Sequence, residues 1–324
     1  MAGAAAFPLA AQEAAAPQRI EIDAQPIHSF QPGDPERRIF GRLEFRGGLE
    51  LSASVKNFGG VSAIRLDAEG EKFLAVTDHG DWLRGRILYR DRQPVGIADA
   101  EIAPMLDADG GALAARGFYD AEALALDGGI AYVAFERVHR ILRFDYGRDG
   151  LLARGKPVPV PPDFAKMPRN RGIECLLVMP PKTPFAGSLL AISETASDGA
   201  GHIRGFLLGG AKQTTFSVRQ RDDFNVVDCA LTPSGDLLLL ERYFSWRRGI
   251  AMRIRSISQS ALAAGALLDG EILIEADMGY QIDNMEGLSV HRAPDGATVL
   301  TLISDDNFLV LQRNLLLQFT LRDE

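Results

Sequence analysis

An all-β fold is predicted by three observations: a strand pattern that recurs five times, second strands that are nearly continuous apolar runs, and hairpin turns between the two. Each recurrence opens a strand on a small or acidic residue, turns, and runs through an apolar strand into a carboxylate. The openings are Ser62, Glu122, Glu174, Asp228 and Glu286, and the closings are Asp78, Glu136, Glu194, Glu241 and Asp305. Successive openings lie 52 to 60 residues apart, a period that marks a repeat array or a propeller. Four-stranded units at this spacing close radially into a β-propeller, because each blade must bury both faces against its neighbours. Five blades are countable, and residues 18–55 leave room for a sixth.

Taken in order, residues 1–17 are mostly Ala, with Leu9-Ala10-Ala11 ahead of Gln12. This reads as the small-residue end of a secretory signal without its charged front, or as a low-complexity tail. The propeller domain is assigned to residues 18–324. Three short strands are expected between 18 and 55, interrupted by Pro26, Pro32 and Pro35. The last repeat stops after its third strand, so residues 39–55 are expected to close the ring by joining it. Within the repeats, Asp127-Gly128, Ser234-Gly235 and Asp295-Gly296 supply hairpin turns. Second strands such as 237–240 are apolar throughout, as befits strands covered on both faces. Third strands alternate basic with apolar residues (Arg140 to Phe144, Met252 to Arg255), which predicts half-exposed strands. One helix is expected over 258–268, and the Pro-rich stretch 157–168 is expected to be a loop. Cys175 and Cys229 each follow the opening acid of their repeat; small-residue packing between blades is the favoured reading over a disulfide, and the spacing fits no zinc motif.

The chain has 324 residues and a formal net charge of −8, which argues against a nucleic-acid partner. No run of 18 apolar residues is present to span a membrane. There is no G-x-S-x-G elbow, P-loop, dinucleotide fingerprint or H-E-x-x-H motif.

In a propeller the innermost strands line the central channel, so residues repeated on them form rings. Nine carboxylates are expected in one funnel: Asp78, Glu122, Glu136, Glu174, Glu194, Asp228, Glu241, Glu286 and Asp305. Like charges so close resist ionising together unless a cation, protons or arginines intervene. Hard oxygen donors suit Ca²⁺, with Mg²⁺ second, better than zinc. Arg137 and Arg242 follow acids, and Arg169, Arg171, Arg247 and Arg248 add charge in loops expected on the same side. Glu286, Glu122 and His79 are the candidate catalytic residues, and Arg137, Arg242, Arg171, Asn284 and Asn307 the candidate substrate ligands. The competing reading is structural, with each acid capping amides or pairing with arginine. Tyr243, Phe244 and Trp246 beside Arg247 form either a ligand wall or an aromatic loop packed on its own blade.

Several segments together resemble the bacterial phytase-like family, "esterase-like activity of phytase". They are Phe58 to Ser62 with Leu74 to Asp78, Asn170 to Glu174, Asp222-Asp223-Phe224, Leu237 to Arg242, Asp283 to Gly287, and Ser304 to Phe308 with Gln312-Arg313. The resemblance spans about residues 40–321, and Cys175 and Cys229 depart from it. It implies an exported, periplasmic or secreted propeller and phosphatase or esterase chemistry on a small anionic or ester substrate; the R-H-G-x-R-x-P motif of histidine acid phosphatases is missing. Three functions compete: a Ca²⁺-dependent hydrolase of phosphate or carboxylic esters, a lactonase-like propeller, and a non-catalytic propeller that binds a sugar, peptide or protein.

Overall fold

The computed structural model describes residues 16–168, 171–181, 183, 185–209 and 213–322; the alanine-rich tail expected at 1–15 lies outside them, as do Arg169 and Asn170. Five sheets, antiparallel but for one short parallel edge strand, stand in a ring, a five-bladed β-propeller. Blade 1 holds, from the axis outward, Val61–Leu66, Lys72–Thr77, Asp81–Arg90 and Gln93–Pro104, with Gln18–Arg19 on its edge. Blade 2 holds Ala121–Asp127, Ile130–Phe135, Arg140–Phe144 and Lys156–Pro157. Blade 3 holds Ile173–Val178, Leu189–Ser197, Ile203–Leu208 and Thr214–Val218, and blade 4 holds Asn225–Leu231, Leu237–Ser245, Gly249–Ile257 and Glu271–Asp277. Blade 5 takes Asn284–Arg292, Thr298–Asp305 and Asn314–Leu321 from the carboxyl end, and Leu43–Ala53 and Ile22–Ile27 from the amino end.

Residues 18–55 therefore make no sixth blade. Leu43–Ala53 pairs antiparallel with Asn314–Leu321 and closes the ring, as expected. The amino-terminal strands also clamp blade 5 to blade 1, Ile22–Ile27 pairing with Leu43–Ala53 and Gln18–Arg19 with Gln93–Pro104. The core is divided into five apolar clusters, one at each blade junction. Burial of both faces of every sheet explains the continuous apolar second strands.

Two local expectations are corrected. Residues 258–268 form no long helix: a 3₁₀ turn over Gln259–Ala261 leads to Leu267–Leu268, which pairs parallel with Thr214–Val218 of blade 3. The stretch 157–168 is not wholly loop, since Pro162–Lys166 forms a 3₁₀ turn.

Candidate active site

Every innermost strand carries one β-bulge near its start. The residue left unpaired is Ser62 in blade 1, Glu122 in blade 2, Glu174 in blade 3, Val227 in blade 4 and Glu286 in blade 5. A bulge re-aims the extra side chain and recurs beside sites; here it turns Glu122, Glu174 and Glu286 into the cavity, while Ser62 bonds Asp78 and Val227 packs into the core between blades 4 and 5. The partner strands then place Asp78, Glu136, Glu194, Arg242 and Asp305 at one common position, directly beyond the bulge.

Blade 4 thus departs from the sequence reading by one residue in both rings. Val227, not Asp228, occupies the bulge, and Arg242, not Glu241, stands opposite. A slip of one residue sends every side chain to the other face, which removes both acids from the funnel. Asp228 is fully buried on the axis below it, where Arg65 of blade 1 holds it by two bonds of 2.8 Å. Arg65 also donates to the carbonyls of Ile64 and Leu288, and Asp228 accepts from the Leu288 amide at 2.7 Å. This pair plugs the channel between the funnel and the opposite mouth. Glu241 is buried between blade faces by Arg253 and Arg255, both fully buried. The expected half-exposed strand is therefore buried at its arginines as well.

The funnel is a cavity of about 240 Å³ lined by Asp78, Asp120, Glu122, Glu136, Glu174, Glu194, Glu286 and Asp305, with Arg137, Arg242 and Asn307. Arg242 donates to both Glu286 and Asn284, and its other nitrogen lies 3.6 Å from Glu194. Asn284 sits behind Glu286 and donates to it at 2.9 Å. Arg137 is exposed on the rim, bonded to Asp120 at 2.6 Å and lying over the Tyr119 ring. Ser62 donates to Asp78 at 2.6 Å, and the Gly172 amide to Glu136 at 3.0 Å. Gly172 must be glycine for that approach, since a Cβ there would stand 2.7 Å from the Glu136 side chain. Among the described residues, the carboxylates of Glu122 and Glu174 accept no hydrogen bond.

Crowding shows in the protonation behaviour. Burial, then the neighbouring acids, pushes Glu122 and Glu174 well above the usual carboxylate range. Burial raises Glu136 to about 7 despite the Gly172 amide, and Glu286 to about 7 despite Arg242. Asp305 is raised to about 8 by burial and by Asp78 and Glu286. The cause is arithmetic of charge: among the described residues, eight carboxylates face two arginines in one cavity.

Most sequence candidates meet here, but Asn284, which sits behind Glu286, and His79 and Arg171 do not line the cavity. His79 is exposed and stacks on Phe308, with centroids 4.2 Å apart. Arg171 bonds the Thr195 hydroxyl at 2.8 Å. Asp120 escaped the sequence reading. It lies two residues before the bulge, the position of Asn225 and Asn284 in blades 4 and 5, so a recurring Asx residue there is the signal that marks it. It also has a positive φ of 61°, a conformation that Asp tolerates better than most residues.

Among the described residues, two trios could share a cation: Asp120, Glu122 and Glu136, and Glu136, Glu174 and Glu194. In each trio one oxygen per residue lies within 4.8 Å of the others. Oxygens bound to one Ca²⁺ at 2.3–2.6 Å lie up to roughly 5 Å apart, so the donor set fits such an ion.

Away from the funnel, Cys175 and Cys229 form a disulfide with Cα atoms 5.1 Å apart, tying the inner strand of blade 3 to that of blade 4. The favoured sequence reading of packed free thiols is thus replaced. Because of the one-residue slip in blade 4 the two cysteines stand at unequal positions after their bulges, and that offset brings them together.

A family model described as "Phytase-like: Esterase-like activity of phytase" matches residues 56–308. No curated protein matches the chain. Similar solved structures include an endo-arabinase from Bacteroides thetaiotaomicron VPI-5482 (10% identity, 82% of this chain and 94% of that one, TM-score 0.47). A glutaminyl cyclase from Myxococcus xanthus is similar at 12% identity over 82% of this chain and 92% of that one, TM-score 0.42. YCF48 bound to a D1 peptide is similar at 11% identity, over 82% of this chain and 66% of that one, TM-score 0.38. With the family match covering blades 1 to 4 and the inner half of blade 5, the chain belongs to the phytase-like family, esterase-like activity of phytase.

Proposed function

We propose that the funnel is the active site of a cation-dependent hydrolase acting on phosphate or carboxylic esters. The observation that carries this reading is the set of acids without partners: among the described residues, Glu122 and Glu174 accept no hydrogen bond while facing six further carboxylates. A scaffold would have given each acid an arginine or amide partner, as Asp228 and Glu241 have. Asp120, Glu122, Glu136, Glu174 and Glu194 would hold the ion, and hard oxygen donors favour Ca²⁺ over zinc. When bound, the ion supplies Lewis acidity toward the ester oxygen and offsets the charge of a phosphate.

The chain's own residues do the rest. Arg242, anchored by Glu286 and Asn284, presents its guanidinium to an anionic oxygen, and Arg137 can leave Asp120 to do the same from the rim. Glu286, titrating near neutrality, accepts the proton of the attacking water. Asp305, protonated at neutral pH, donates to the departing oxygen, so the proton taken by one acid is balanced by the proton given by the other. Asn307, on the mouth beside Asp305, orients the ester. His79 has no part in this scheme.

We also assign the protein to an exported setting, periplasmic or secreted. The support is the buried disulfide, since such bonds persist in oxidising compartments, together with the alanine-rich amino end.

The test is thermal unfolding of chelator-treated protein with and without millimolar Ca²⁺, for wild type and Glu136→Gln. Glu136 belongs to both trios, so its variant should lose the Ca²⁺-dependent rise in Tm that mass action gives the wild type. Hydrolysis of p-nitrophenyl phosphate and p-nitrophenyl acetate should follow the same dependence. No Ca²⁺ shift in the wild type would sink the cation-dependent scheme.

A further inference from the structure

Large apolar side chains left in solvent are unevenly distributed over this molecule. Among the described residues, those with more than half their surface exposed are Phe244 (55%), Trp246 (95%), Met278 (59%), Leu309 (58%), Val310 (101%) and Leu311 (94%). All six belong to blades 4 and 5, on the funnel side. Phe244 and Trp246 lie on the hairpin that continues the Arg242 strand past the cavity; Leu309 to Leu311 lie on the loop that follows Asp305 and Asn307. Met278 closes the outer strand of blade 4 beside Gly249. Phe244 and Trp246 pack edge to face, with centroids 5.5 Å apart. Tyr243, on the other face of the strand, packs on Phe224 instead. The aromatic hairpin is thus divided between a packed half and a bare half.

Charge says what the bare half meets. The turn that carries Trp246 continues with Arg247 and Arg248, both exposed, and among the described residues their guanidinium groups make no ion pair. On a chain of net charge −8, two uncompensated arginines beside an exposed tryptophan form a local positive tip. The hairpin pairs Tyr243, Phe244 and Ser245 with Ala251, Ile250 and Gly249. Three residues of strand put the tip roughly 10 Å beyond the acidic ring, about one Debye length at physiological salt. The tip therefore reaches its partner with the funnel acids largely screened. Tryptophan and aliphatic side chains flanked by arginine are the composition of a lipid interface, where rings sit at headgroup level and basic residues meet lipid phosphates.

We propose that the funnel face of blades 4 and 5 docks on an anionic phospholipid surface, with Trp246 and Leu309 to Leu311 entering the interfacial layer and Arg247 and Arg248 contacting lipid phosphates. The docked funnel mouth faces the membrane, so its substrates include esters presented from that surface. The docking does not depend on the hydrolase reading, because it is measured with no turnover.

The experiment uses vesicles of phosphatidylcholine alone or with phosphatidylglycerol, read by co-sedimentation and tryptophan emission. The chain has two tryptophans, and Trp82 is buried, so an emission shift to the blue reports Trp246. Binding and a blue shift are expected with the phosphatidylglycerol vesicles. The double variant Arg247→Gln/Arg248→Gln should bind these roughly 25-fold more weakly, the product of two contacts worth about fivefold each. Leu309→Ser/Val310→Ser/Leu311→Ser should abolish the shift while unfolding at the wild-type temperature. Three results overturn the proposal: no binding to anionic vesicles, equal binding to neutral ones, or a concentration-dependent mass doubling in light scattering that the triple serine variant removes. The last would give the patch to a second copy of the chain.

Discussion

Asp228 and Glu286 are both acids near the start of an innermost strand, yet one holds the channel shut and the other faces the cavity. Asp228 has a bidentate arginine and two amides, whereas Glu286 shares one arginine and sits among acids. Removing Arg65 would leave Asp228 buried and unpaired, so Arg65→Met should destabilise the fold by about 3–5 kcal/mol. The double variant Arg65→Met/Asp228→Leu should recover most of that loss, as chemical denaturation will show; a double variant no better than the single one would contradict the plug. The funnel acids have the opposite pH signature. Folded values near 7 for Glu136 and Glu286 and near 8 for Asp305 lie above the ordinary 4.5 and 3.8. Their contribution to stability is fully present below about pH 4 and is lost as pH rises through about 7 to 8, because the unfolded chain releases these protons first. Chelator-treated protein should therefore show a Tm that falls by several degrees between about pH 5 and pH 8. Glu286→Gln should flatten that slope, and a Tm rising over the same range would contradict the protonation pattern.

At the scale of elements, the bulge is the device that builds the site. One extra residue on the innermost strands of blades 2, 3 and 5 turns a glutamate into the cavity, and a chain that alternates inward and outward cannot otherwise do so without losing its register. The same device explains where sequence reading slipped. Four bulges fall on Ser62, Glu122, Glu174 and Glu286, which pattern recognition could align; in blade 4 the neighbouring Asp228 drew the alignment away from Val227. Nothing in the local sequence Asn225 to Cys229 marks which residue is the unpaired one, because that depends on pairing with Leu237–Ser245. The disulfide between the inner strands of blades 3 and 4 closes a loop of 54 residues. In the chain-entropy account such a loop is worth about 4 kcal/mol. Cys175→Ala/Cys229→Ala should lower stability by about that amount in denaturant titration, and an unchanged midpoint would show that packing alone holds these strands.

At the scale of the molecule, the ring closes only because the amino end returns to the carboxyl end. Leu43–Ala53 covers Asn314–Leu321, including the fully buried Leu315, Leu317 and Phe319. A chain beginning at residue 56 would keep the whole family match and the four-stranded cores of blades 1 to 4, but would bare this strand and the junctions on both sides of blade 5. It should fail to unfold cooperatively, measured by circular dichroism against temperature. A sharp two-state transition in that truncated chain would show that closure is dispensable.

Repeat period, turn pairs and apolar second strands were enough to establish a propeller, because each blade is a local unit whose pattern survives in linear order. The resemblance of Asp283 to Gly287 and Ser304 to Phe308 to a known family was legible for the same reason, as were seven of the eight funnel acids. Three features belonged to pairings between distant segments and had no linear trace. Blade number depended on whether residues 18–55 would fold together or be shared between blades 5 and 1. The exclusion of Asp228 and Glu241 from the funnel depended on a register one residue wide; of their arginine partners, Arg253 and Arg255 read as part of a half-exposed strand and Arg65 carried no signal of its own. The cysteine bridge depended on the offset that this register created. Local patterning specifies which strands form; the hydrogen-bond register between them specifies which side chains meet.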